Sequence, residues 1–102
     1  MTRERLKPDE RRARILDAAL GVAEREGYHT LRQRDVAAAA RCSMSLIHWY
    51  WGGLPAMRAA VLARAIEREH LPVVLQGLAM RDPVALAAPE LLRRAALEAQ
   101  SC

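Results

Sequence analysis

Phenylalanine is absent, aromatic residues make up 4% of the chain, and its 102 residues include only two cysteines, Cys42 and Cys102. β-Branched residues are also sparse. With so little from which strands are built, the composition predicts an all-α chain. Cysteines so far apart, with no Cys-x-x-Cys pattern, argue against a disulfide scaffold or a zinc site. No apolar run approaches the roughly 20 residues of a membrane span. The basic start is not followed by the apolar segment of a signal peptide, so a cytoplasmic protein without membrane association is expected. A glycine-rich phosphate loop is missing, as is any Ser, His and acid arrangement, so neither an enzyme nor a cofactor is expected. Glu67 and His70 have the Glu-x-x-His spacing of di-iron bundles. The pattern occurs once with no second half, so it reads as helix surface and no metal is expected.

What is present is alanine and arginine. The apolar fraction of 52% is inflated by alanine, a strong helix former that fills a core poorly. One domain is expected at this length, with about two thirds of the unfolded surface buried. Net charge is +4 and the isoelectric point is about 9.8, which suits a polyanionic partner. Arg3, Arg5, Lys7, Arg11, Arg12 and Arg14 crowd the start against only Glu4, Asp9 and Glu10.

Residues 1–9 read as a basic arm. Pro8, Asp9 and Glu10 then mark a helix start, since proline suits the first turn and acids suit its dipole. Ile15, Leu16, Ala19, Leu20 and Ala23 form one apolar stripe, and Gly27 supplies the stop, with Tyr28 packing back over the last turn. Thr30 and Gln33 have the spacing of a capping box ahead of a short second helix through Val36, Ala37 and Ala40. Arg41, Cys42 and Ser43 interrupt it, and Ser43 is a good N-cap for a third helix starting at Met44 and ended by Gly52-Gly53. A fourth helix is predicted from Leu54-Pro55 to the Leu71-Pro72 boundary. A short helix over Val73 to Leu78 is broken by Arg81-Asp82-Pro83. A last helix from Pro89 to Gln100 places Leu91, Leu92, Ala95 and Ala96 on one face.

Two short helices joined by a three- or four-residue turn define a helix-turn-helix, whose second helix matches the width of the DNA major groove. Here that helix is Met44-Ser45-Leu46-Ile47-His48-Trp49-Tyr50-Trp51, holding three of the four aromatic residues of the chain. Consecutive residues point in different directions because each step turns by about 100°. Ile47 and Trp51 share the core side, Ser45, His48 and Trp49 fall on or near the opposite side, and Tyr50 lies at an edge. Histidine or tyrosine can donate to phosphate oxygens, and Trp49 can press on a thymine methyl or a sugar.

Arg14 to Ala19, then Glu26-Gly27-Tyr28, Arg34-Asp35-Val36-Ala37 and the Ser43–Trp51 helix resemble, in order and spacing, the DNA-binding domain of TetR/AcrR-family transcriptional regulators. The likeness covers residues 10 to about 66. It implies that Ser43 caps the reading helix and touches phosphate. Met44, Ser45, Leu46 and Trp49 would face the groove, while His48 and Tyr50 would reach the DNA backbone. Thr30, Arg32 and Arg34 would add phosphate contacts, and Ile15, Leu16, Ala19, Val36, Ile47 and Trp51 would be core. Three positions depart from the family pattern. Arg41 stands at the usual turn glycine, where a left-handed backbone would cost about 1 kcal/mol or more. Gln33 replaces an apolar residue, and Gly53-Leu54 lacks the lysine that often opens the fourth helix.

The implied organisation is a DNA-binding unit over residues 10–70 and a short helical remnant of a dimerisation and regulatory region over residues 71–102. Two short helices cannot enclose an effector pocket of several hundred Å³, so a small-molecule effector is not expected. The expected function is a sequence-specific regulator, a repressor, acting as a homodimer on double-stranded DNA at a near-palindromic operator. Two alternatives stand beside it. One is a helical protein-interaction module pairing with a full-length relative through Leu71 to Leu92. The other is a non-specific basic DNA binder.

Overall fold

A computed structural model describes residues 7–100, so residues 1–6 of the expected basic arm, and Ser101 and Cys102, lie outside the described residues. Among the described residues every regular element is a helix. Helix α1 spans Pro8–Glu26, α2 Gln33–Ala40, α3 Met44–Trp51, α4 Leu54–Glu67, α5 Leu71–Ala79, α6 Pro83–Leu86 and α7 Glu90–Gln100. A single 3-10 turn, Tyr28–Thr30, separates α1 from α2. No helix among the described residues is long and apolar enough to cross a membrane.

Helix α1 starts as its sequence predicts, with Pro8 in the first turn and Asp9 and Glu10 beside the positive end of the helix dipole. Its stripe of Ile15, Leu16, Ala19, Leu20 and Ala23 is buried. Gly27 ends it at φ 95°, a conformation that side-chain-bearing residues rarely adopt. Around this helix the fully buried side chains Leu31, Val36, Ile47, Met57, Val61, Leu62, Val73 and Val74 come from α2, α3, α4, α5 and the 3-10 exit. The Asp17 carboxylate locks α1 to α4, accepting from Arg64 Nε at 2.8 Å and from Nη2 at 3.0 Å. That bond holds the Asp17 carboxyl below the ordinary aspartate range.

The capping-box expectation is overturned. Thr30 Oγ1 donates to the Glu26 carbonyl at 2.8 Å and to the Gly27 carbonyl at 3.3 Å, closing α1 rather than opening α2. Arg32 occupies the N-cap of α2, and its side chain makes no cap bond there. The expected break at Arg81-Asp82-Pro83 is followed by an extra turn of helix. Asp82 Oδ1 accepts from the Val84 amide at 2.9 Å and caps α6, with Pro83 in its first turn. In α7 Leu92 and Ala96 are buried, whereas Leu91 is 77% exposed, so the expected face is narrower than its alanine-leucine pattern indicates. One helical step, about 100°, separates Leu91 from Leu92 and carries it off the α5 contact. Trp51, expected in the core, is half-buried at the core margin.

Helix α5 crosses close to α4 and α6 because Gly77 has no side chain. A Cβ built on it would lie 2.8 Å from Ala85 Cβ and 2.8 Å from Leu62 Cδ1. Ala85 Cβ is fixed to its backbone and Leu62 is fully buried, so neither contact relaxes freely. Gly77→Ala is therefore expected to destabilise the protein by about 1–2 kcal/mol, overpacking outweighing the roughly 1 kcal/mol that alanine gains in helix propensity. Urea unfolding at constant m-value measures this; a neutral or stabilised variant would show that α4, α5 and α6 separate without penalty.

Candidate nucleic-acid interface

The turn between α2 and α3 is defined by three bonds. The Cys42 amide donates to the Ala37 carbonyl at 3.0 Å and the Arg41 amide to the Ala38 carbonyl at 3.3 Å. This pair is the Schellman arrangement, which needs a left-handed residue at its centre. Arg41 supplies it at φ 55° and ψ 47°. Ser43 Oγ then accepts from the Leu46 amide at 3.1 Å and caps α3. Cys42 is half-buried between these anchors, and burial pushes its thiol above the ordinary cysteine range. The left-handed turn expected at Arg41 is thus present without glycine.

Helix α3 divides into two faces. Ile47 is fully buried, and Leu46, Tyr50 and Trp51 are half-buried against the core. Met44, Ser45, His48 and Trp49 form the opposite face and are exposed, Trp49 at 74% and Met44 at 51%. The Trp49 indole rests edge-on against Tyr50, with ring centroids 5.1 Å apart at 79°. Tyr50 in turn donates its hydroxyl to the Pro8 carbonyl at 3.2 Å. The Arg12 guanidinium lies 5.5 Å from the centroid of the Trp51 ring, within cation–π range.

Those last two contacts bring the start of α1 beside the end of α3, so exposed Lys7, Arg11 and Arg12 stand next to the exposed helix. The sequence marks these residues only as a basic cluster; their nearness to α3 follows from aromatic contacts across some 40 residues of chain. The remaining expected residues lie at the front of α2. Thr30 is exposed with its hydroxyl held by the α1 carbonyls. Arg34 is exposed, as is Arg32, whose Nε lies 3.1 Å from Asp35 Oδ2. Asp35 therefore offsets part of the local positive charge. No cluster of His, Cys, Asp and Glu able to hold a metal occurs among the described residues.

The front of the molecule is tied to its back at the end of α1. Gln76 of α5 accepts from the Tyr28 amide through Oε1 at 2.8 Å and donates through Nε2 to the Ala23 carbonyl at 2.9 Å. Tyr28 donates its hydroxyl to Asp82 Oδ2 at 2.8 Å. Burial first, and then this carboxylate, raise the Tyr28 hydroxyl well above the ordinary tyrosine range, so it remains a donor. Arg58 Nε completes the tie by donating to the Leu31 carbonyl at 2.9 Å.

Residues 15–61 match the family model of bacterial regulatory proteins of the tetR family. Over 59 residues the chain is 37% identical to the HTH-type transcriptional repressor KstR of Rhodococcus jostii (strain RHA1), a match covering 58% of this chain and 28% of that protein. The KstR repressor of Mycolicibacterium smegmatis is 36% identical over 59 residues, covering 58% of this chain and 29% of its own length. The matched segment thus spans less than a third of these curated relatives. No solved structure matches the chain.

The turn geometry sets two opposite expectations for stability. Ser43→Ala removes the cap bond and is expected to lower stability by about 1 kcal/mol. Arg41→Gly relieves the left-handed strain and is expected to raise it by about 0.5–1 kcal/mol after the greater freedom of the unfolded chain is counted. Thermal unfolding of both variants reads the two signs; equal stabilities would contradict the cap and turn described.

Proposed function

From the match of residues 15–61 to the tetR family of bacterial regulatory proteins we propose that this chain is a regulator of that kind, a sequence-specific DNA-binding regulator of transcription. The KstR relatives are repressors by name, and repression is the proposed direction of control. The observation that carries the reading is the outward face of α3. Met44, Ser45, His48 and Trp49 stand exposed on a short helix whose start is capped and whose entry is set by the Arg41 turn. Large exposed apolar groups ringed by polar ones mark an interaction surface.

In this reading α3 enters the major groove. Met44, Ser45, Trp49 and the outer part of Leu46 face base edges, while His48 and Tyr50 reach the sugar-phosphate backbone. Ser43, Thr30, Arg32 and Arg34 contact phosphates, which set register rather than sequence. Lys7, Arg11 and Arg12 extend this positive border past the far end of α3. Residues 10–70 serve as the DNA-binding unit. Residues 71–102 belong to the dimerisation side, and two copies bind a near-palindromic operator.

A second reading has its own observation. Leu91 and Leu86 are exposed, and Leu71, Pro72, Leu75, Ala96 and Ala99 line an apolar groove between α5 and α7. This surface fits a helical module that pairs with a longer relative instead of reading DNA.

Selection of bound sequences from a random duplex pool at about 0.15 M salt separates the two, because non-specific phosphate binding is weakened there. The expected product is an inverted repeat with half-sites roughly 34–36 Å apart, one turn of DNA. On that duplex Trp49→Ala should lose at least about tenfold, within the 1–3 kcal/mol of a base contact, and lose little on random DNA. Failure to enrich any sequence would leave the interaction module as the better account.

A further inference from the structure

The outward face of α3 lacks the chemistry by which proteins most often recognise guanine and adenine. Bidentate forks to guanine come from arginine or lysine, and those to adenine from asparagine or glutamine. None of these residue types occurs between Met44 and Trp51. Met44, His48, Ser45 and Trp49 occupy an arc of about 140° at about 100° per residue. Within that arc the polar groups are one hydroxyl, one imidazole and the single N–H donor of the Trp49 indole. Most of what the arc offers is apolar, from a thioether at its leading end and an indole at its trailing end.

Neither apolar group is covered by the protein. Met44 is 51% and Trp49 74% exposed. The indole is nonetheless braced, since Tyr50 props it edge-on and is itself tied to the Pro8 carbonyl. A braced side chain loses little conformational freedom on binding, so its contact retains more of the gain from burial. Among the base edges of the major groove the apolar group is the C5 methyl of thymine, which apolar side chains contact.

We infer that Met44 and Trp49 are the specificity-determining residues of this chain, and that they read thymine C5 methyl groups instead of the donor and acceptor pattern of guanine. The inference rests on the proposed DNA-reading function and deepens it. Ser45 and His48 contribute single hydrogen bonds, while the arginines of α2 and the turn position the helix on phosphates. Sequence discrimination then comes mainly from methyl groups at two positions in each half-site.

The test replaces each thymine of the selected duplex, one at a time, with deoxyuridine, which removes only the methyl group and keeps base pairing. Fluorescence anisotropy measures the affinity of the full chain for each duplex. At two positions per half-site the loss should be about fourfold, and about sixteenfold when both half-sites carry the change, the value of one buried methyl each. Trp49→Ala should abolish the uracil effect at one of these positions and Met44→Ala at the other. Thymine and uracil duplexes bound equally at every position, with sequence selection retained, would overturn methyl reading and leave the DNA-reading function standing. Failure to select any duplex would overturn both.

Discussion

The side-chain amide of Gln76 satisfies the Tyr28 amide that the end of α1 leaves open, and adds a second donor to the Ala23 carbonyl, which already accepts from Gly27. Gly27 breaks the helix at a positive φ, so the Tyr28 amide has no helical acceptor, and the Gln76 Oε1 becomes that acceptor. The same side chain donates to the Ala23 carbonyl one turn back. Leaving a buried donor unpaired costs roughly 1–3 kcal/mol, a sizeable share of the stability of a chain this small. The position of the bond matters as much as its strength. Tyr28 precedes Leu31, which is fully buried and whose carbonyl is held by Arg58, and the chain runs from there directly into α2. Through α2 and the Arg41 turn, the end of α1 therefore sets where α3 lies.

Helix ends in this protein are built without much glycine. Arg41, Glu69 and Arg81 all take positive φ, near 55° in each case. At Glu69 the amide donates to Ile66 and the next amide to Ala65; at Arg81 the pair is Leu78 and Gly77. These are the same paired bonds that close α2. Each left-handed residue costs about 1 kcal/mol or more relative to glycine. The three places are exposed and charged, so the turns project their charges outward at the joints between helices. Positive charge at Arg41 lies at the entry to α3.

Local chemistry was legible in the sequence, and long-range pairing was not. The stop at Gly27, the Ser43 cap and the bounds of α3 follow from residues within a few positions of each other, and each stands where its spacing puts it. So does the apolar stripe of α1. The capping box failed because Thr30 had a nearer pair of acceptors in the carbonyls ending α1, which spacing alone does not reveal. Leu91 was misplaced for a related reason: a leucine-alanine run offers more than one possible buried face, and only the position of α5 selects between them. Gln76 drew no attention, and Asp82 was read only as part of a helix break. Their partners, Tyr28 and Ala23, lie about 50 residues away, and neither polar side chain belongs to a recognisable motif. At the interface, Ser45, His48 and Trp49 were placed outward by helical geometry alone, whereas the approach of Arg12 and Pro8 to the aromatic end of α3 required the folded chain.

Helices α5 and α6 are joined to the end of α1, and through it to α3, by Gln76, Tyr28 and Asp82, so all are expected to open as one cooperative unit. Native-state hydrogen exchange in low denaturant measures it directly, residue by residue. The account predicts that buried amides of Val73 to Gly77 open with the same free energy as those of Leu16 to Ala23, within about 1 kcal/mol. Exchange of α5 at a much lower free energy, with α1 still protected, would mean that the back of the molecule opens on its own and does not hold α3 in place.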